Sequence, residues 1–268
     1  MSTNEVLFHS NGTRNSGLLF DLTRQRANWE WMSFSVRRIA SGDYYQPHSE
    51  KEEIGIVLLG GTCSADWGSG TQDIGKRANV FDGLPFALYL PAGCSAKLIA
   101  TSNCEIAECR VPSTASFQPK LITPNDVLSS MRGGANATRR IVDIMPPDFP
   151  ADRLIAVEVY TPSGNWSSYP PHKHEVHNPP SEVDLDEIYY YRFHQPNAFA
   201  LQRLYSSNGD RDTVVTARDG DTVLIRDGYH PVVAGHGYDV YYLNFLAGSA
   251  RSLANTIDPN HAWVTSTW

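Results

Sequence analysis

Short apolar, β-branched or aromatic runs recur along the whole chain, each closed by Gly, Pro, Asn or Asp, and this punctuation constrains the fold more than any other feature. Residues 54–59, 87–90, 154–160, 188–193, 200–205, 222–225 and 239–245 are all runs of strand length. Many short strands with regular turn signals predict an all-β sandwich or small barrel. An aromatic content of 11%, with 13 Tyr, agrees with that reading. Helical periodicity is scarce. One stretch, residues 123–132, opens with Pro124 and Asn125 and is expected as a short amphipathic helix.

The two halves share a layout: a strand, an acidic or His-containing turn, a strand pair, then a Gly-rich turn before another strand. The join falls within residues 112–143, which hold Pro119, Pro124, Gly133, Gly134 and the basic pair Arg139–Arg140. That pair reads as a solvated linker. A chain of 268 residues accommodates two modest domains, so a duplicated β-domain is expected, with residues 1–120 and 121–268 as its halves.

Composition narrows the function classes. A net charge of −7 argues against a broad nucleic-acid footprint, which needs a basic face. There is no run of 18 apolar residues, so no membrane-spanning helix is expected. Residues 1–17 are polar and lack an apolar core, so no secretory signal is expected. Cys63, Cys94, Cys104 and Cys109 show no CxxC spacing and read as buried free thiols in a reducing compartment, with the cytoplasm as the default.

The chemistry concentrates in the second half. In Tyr169-Pro170-Pro171-His172-Lys173-His174, two imidazoles at i and i+2 on an extended segment face the same way. Two such rings are two ready ligands for a divalent ion. Glu187 then opens an apolar strand. A turn–strand–turn unit, Asp219-Gly220-Asp221 to Asp227-Gly228, delivers His230. Three imidazoles and one carboxylate meeting inside a small barrel leave room for water or substrate, as catalytic metal sites do. Zinc, manganese and iron all fit these donors. Glu182, Asp184 and Asp186 compete with Glu187 for the carboxylate position. Glu187 is preferred because it abuts the apolar strand.

This arrangement resembles the cupin superfamily, whose motifs read G(X)5HXH(X)3–4E(X)6G and G(X)5PXG(X)2H. His172, His174, Glu187 and His230 match its four ligand positions. The gap before Glu187 holds twelve residues, 175–186, and Arg226 stands where proline is usual. The first half fits degenerately. His48 keeps its place and Glu53 comes one residue early, but Glu50 replaces the second histidine and Ala96 the third. The resemblance therefore implies two tandem cupin-type jelly-roll barrels, with the N-terminal one structural or a wall of the substrate site.

Longer strings, among them Trp166 to His174, Glu187-Ile188-Tyr189-Tyr190-Tyr191-Arg192, Gly228-Tyr229-His230-Pro231-Val232 and Tyr238 to Asn244, are similar to the 5-deoxy-glucuronate isomerases of myo-inositol catabolism. These are related to the 5-keto-4-deoxyuronate isomerases. The resemblance implies a metal-dependent aldose–ketose exchange between 5-deoxy-D-glucuronate and 5-dehydro-2-deoxy-D-gluconate in a bacterial cytoplasm, with zinc as the metal.

Such an exchange moves a proton between adjacent carbons, so a metal and a proton-transferring group are both needed. Strand alternation puts Tyr189 and Tyr191 on the face of Glu187. Gln202 or Arg203, and Tyr241 or Tyr242, join them depending on register; Tyr189, Tyr191, Arg203 and Tyr241 are taken as the catalytic set. An acid substrate needs a cation. By alternation Arg192 faces away, which leaves Arg203 or Lys173 for a carboxylate contact. His177, His194, His236 and His261 read as surface or loop residues. The expected partners are a small sugar acid and a second copy of the chain. The rival functions are an iron-dependent cupin dioxygenase, a non-catalytic sugar-binding cupin and a storage bicupin.

Overall fold

The structure, a computed structural model, describes residues 6–10 and 15–268. The polar stretch 1–17 therefore lies partly outside the described residues. The chain is almost entirely β, as the run pattern requires. Among the described residues, α-helix is limited to the single turn Arg24–Ala27, capped by Thr23.

The chain divides into two units. One takes the described residues of Asn11–Leu128 together with Ile144–Ala156; the other takes those of Met1–Ser10, Ser129–Asp143 and Val157–Trp268. These bounds are not a single cut near residue 120. The strand Leu7–Phe8 counts with the C-terminal unit because it pairs with Thr222–Ile225.

In the N-terminal unit, the 15-residue strand Glu52–Asp66 organises two sheets. Its first part pairs with Ala87–Leu90 and Cys104–Pro112; its second part, beyond a register shift, pairs with Gln72–Arg77 and Lys97–Ala100. Ile54, Ile56 and Leu58 alternate inward and meet Leu88, Leu90, Leu98 and Ile106 in one buried cluster. At the head of this strand, the fully buried Glu53 carboxylate accepts the backbone N–H groups of Asp152, Arg153 and Leu154 at 2.7–2.8 Å and the Tyr89 hydroxyl at 2.7 Å.

The C-terminal site is carried by a sheet in which Leu185–Phe193 lies between Thr222–Ile225 and Val240–Gly248, followed by Ile155–Thr161, Arg139–Met145 and Leu128–Arg132. Both central strands are largely buried on both faces, hence the apolar and aromatic runs Ile188–Tyr191 and Val240–Leu243 within them. A four-stranded sheet orders Trp166–Ser167, Val232–Ala234, Ala200–Tyr205 and Asp212–Ala217.

Residues 123–132 do not form the expected helix. Thr123 and Asp126 close a turn, with both Thr123 N–H and hydroxyl donating to the Asp126 carboxylate, and the chain continues as the strand Leu128–Arg132. Side-chain bonds to the backbone offered this segment an alternative to helix. All four cysteines are free; Cys63, Cys104 and Cys109 are buried, while Cys94 is half-buried.

Candidate metal centre

His172 and Lys173 form a two-residue strand against Thr256–Ile257. The extended backbone sends His172 and His174 one way and Lys173 the other, where it pairs with Glu175 at 2.8 Å and Glu182 at 3.1 Å. Lys173 is thus committed elsewhere. So is Glu182, which also accepts the Thr256 hydroxyl and the Glu175 and Val176 N–H groups. Glu187 is the acid that faces the histidines. His230 follows Gly228, whose φ of +77° suits glycine and whose position a Cβ would crowd to 2.5 Å from the Tyr205 carbonyl.

His174, Glu187 and His230 are 4%, 3% and 0% exposed, and their ligand atoms lie within 4.8 Å of one another. His174 Nε2 is 2.9 Å from Glu187 Oε2, and His230 Nε2 is 3.4 Å from the same oxygen. The His172 ring packs edge-on to His230, with centroids 4.8 Å apart. Each imidazole donates its Nδ1–H to a backbone carbonyl: His172 to Pro170, His174 to Leu185 and His230 to Gly228. That leaves the Nε2 atoms of His172 and His230 free to face a cation, while Nε2 of His174 is hydrogen-bonded to Glu187, a bond that a coordinated ion would replace. His230 Nε2 is buried without a hydrogen-bond partner, which a coordinated ion would satisfy. The gathered donors, two imidazole nitrogens and a carboxylate with the His172 ring beside them, suit a divalent transition metal or zinc.

The electrostatics agree with the geometry. Burial, with the neighbouring His174, pulls His172 down to about 4, so its ring is neutral at ordinary pH. Burial, with His172 and His174 beside it, holds His230 well below the usual histidine range. Burial opposes charge on His174 too, but the Glu187 bond and charge outweigh it and raise the ring. Burial raises Glu187, against the pull of His174 and Asn244.

The cluster opens on a cavity of about 420 Å³, within the range of small-molecule sites. Tyr189 lines it, with its hydroxyl on Ser168; Tyr242 stacks on Tyr189 at 4.5 Å and bonds Ser167. Burial keeps both phenols above their usual range and therefore protonated.

Register settles the alternatives that the sequence left open. Tyr189 lies opposite Asn244 and Tyr191 opposite Tyr242, so Tyr242, not Tyr241, shares the face of Glu187. Tyr241 points the other way and donates to Glu158. Gln202 is buried, accepting from Tyr191 and donating to the His230 carbonyl; Tyr191 supports the site from behind. Arg203 is turned outward, held by Asp212 at 2.7 and 2.8 Å. Arg203, Tyr241 and Tyr191 are thus corrected: none of them lines the cavity.

Arg139, expected with Arg140 as a solvated linker pair, and Asn244, given no role from sequence, both belong to the site. Arg139 is no linker residue. It lies in the strand Arg139–Met145 and lines the cavity, while Arg140, one residue on, stacks over Tyr160 at 4.0 Å. Asn244 donates to Glu187 Oε1. Alternation along their strands was the available signal, but it needed the register to be known. In the N-terminal unit, His48 is exposed and pairs with Glu50 at 3.0 Å; among the described residues that unit gathers no comparable group.

The KduI/IolB family model matches residues 6–264. The 5-deoxy-glucuronate isomerase of Geobacillus thermodenitrificans is 37% identical over 264 residues, covering 96% of this chain and 95% of that protein. The Bacillus subtilis (strain 168) protein of the same name is 36% identical over 258 residues, covering 95% and 94%. The crystal structure of an IolB-like protein from Salmonella typhimurium LT2 superposes with a TM-score of 0.93 at 35% identity, covering 97% of this chain and 98% of that one. A mutant of Bacillus subtilis oxalate decarboxylase shares the fold at 12% identity, with a TM-score of 0.65 and coverage of 94% and 79%. Matched by that family along nearly its whole length, and by relatives above one-third identity, the chain belongs to the KduI/IolB family.

Proposed function

We propose that this protein is a 5-deoxy-glucuronate isomerase, converting 5-deoxy-D-glucuronate to 5-dehydro-2-deoxy-D-gluconate in the cytoplasm. The observation that carries the reading is the buried His174–Glu187–His230 group, joined by His172, at the wall of a cavity sized for a small molecule. The names of the relatives supply the substrate.

His172, His174, Glu187 and His230 would hold one divalent ion, zinc in this reading. A bound ion of this kind supplies Lewis-acid stabilisation of the negative charge that grows on a sugar oxygen as the neighbouring carbon loses its proton. The chain's own residues do the rest. Tyr189 and Tyr242 keep their protons and can donate hydrogen bonds to substrate oxygens in place of Ser168 and Ser167. Tyr189, stacked against Tyr242 and fixed by the sheet, is the member of the predicted catalytic set that faces the cavity. The apolar wall, with Leu185, Leu246 and Ile257, keeps competing water from the reacting carbons.

Anaerobic incubation of the metal-loaded protein with 5-deoxy-D-glucuronate tests the proposal. The expected result is the ketose acid with no oxygen requirement, and incorporation of solvent deuterium when the reaction runs in D2O. Absence of turnover by fully metal-loaded protein would overturn it.

A further inference from the structure

Resting on the reading that the substrate is a sugar acid, we infer that Arg139 is the residue that binds the substrate's carboxylate. An acid ligand in a partly buried cavity needs a fixed cation, and guanidinium meets a carboxylate with two parallel bonds. The candidates named from sequence are engaged elsewhere, Arg203 with Asp212 and Lys173 with Glu175 and Glu182. Arg132, also on the cavity wall, is held by Asp143 at 2.9 Å.

Arg139 differs from all of these. Its guanidinium makes one hydrogen bond, from Nη1 to the Ala137 carbonyl at 3.0 Å, and among the described residues it has no carboxylate partner. It is half-buried, so its charge is not simply handed to water. At Gly133, φ +81°, a Cβ would stand 2.2 Å from the Ala137 carbonyl oxygen that Nη1 bonds and 2.5 Å from Nη1 itself. Arg139 shares the cavity with His172, Glu187, Tyr189 and Tyr242. A six-carbon acid can therefore set its carbonyl end at the His/Glu group and its carboxylate on Arg139. This is a binding and specificity role, with the proton transfer occurring at the other end of the molecule.

The test uses the metal-loaded full chain and pairs of probes that differ only at the terminal carbon. Binding of D-gluconate and of D-glucitol is measured by calorimetry, and turnover is measured with 5-deoxy-D-glucuronate. The wild type should prefer gluconate. Arg139→Gln should weaken gluconate binding by about tenfold to a hundredfold, as loss of a charge-assisted pair does, and leave glucitol binding and metal content unchanged. Its KM for the sugar acid should rise by a similar factor, with kcat within a few-fold. Should Arg139→Gln not fold, Arg139→Lys reads the same contrast with a smaller loss, since it keeps charge without the planar fork. Equal loss for the acid and the polyol, or no preference for gluconate in the wild type, overturns the inference. Failure of the isomerase reading shows separately, as absence of turnover in wild-type protein that still discriminates gluconate through Arg139.

Discussion

The Asn244 side-chain amide donates to Glu187 Oε1, while the other oxygen of that carboxylate faces His174 and His230. The amide orientation is fixed, because reversing it would set two oxygens against each other. Asn244 thus aims a carboxylate that burial would otherwise neutralise. We expect Asn244→Leu to fold and to bind its metal about 10- to 100-fold more weakly, as loss of a partner behind a ligand does. Competition with a chelator of known affinity checks this; unchanged affinity would remove Asn244 from the site.

His172→Ala and His230→Ala should each lower metal content and activity together while thermal unfolding stays cooperative. His48→Ala should leave the metal in place, because His48 is exposed and among the described residues its side chain pairs only with Glu50 and a backbone carbonyl. Elemental analysis of the three purified variants decides the matter. Metal lost from the His48 variant would put the ion in the wrong unit.

Stability of the metal-free protein should fall in acid. His172 is held at about 4 when folded, below its ordinary 6.5. Between those values the unfolded chain takes a proton that the folded chain refuses. The contribution of neutral His172 is therefore complete above about pH 6.5 and is lost as the pH falls towards 4. Urea midpoints of wild type and His172→Gln, both without metal, should differ in their pH dependence over this window. Parallel curves would show that burial of the ring is not felt in this way.

Glu53→Ala should destabilise the N-terminal unit by at least about 3 kcal/mol, since three backbone N–H groups and the Tyr89 hydroxyl would lose their acceptor. Denaturant unfolding measures it. A loss below about 1 kcal/mol would mean that water replaces the carboxylate.

Much of this was legible in the sequence. The alternating and apolar runs gave strands, and the residues proposed to hold a metal, His172, His174, Glu187 and His230, could be picked out because residue types able to bind metals are recognisable in a sequence. What stayed hidden depends on pairing across the sheet. Whether Tyr241 or Tyr242 turns inward, and whether Gln202 or Arg203 does, follows from a register that no local pattern specifies. Arg139 was hidden more deeply. It sits more than thirty residues before His172 in sequence, and joins the site because its strand follows Ile155–Thr161 in a sheet whose order is not the chain order. Residues 123–132 misled because the Thr123–Asp126 turn outcompetes a helix with little apolar surface to bury.

Glu53 occupies the place in the first half that Glu187 holds in the second, at the start of a central strand, yet every direction it offers is spent on neutral donors. Returning imidazoles to positions 50 and 96 would consequently not resurrect a second metal centre. Its carboxyl group has become a clasp for the chain at Asp152 to Leu154, and recruiting it to a cation would mean undoing the clasp first.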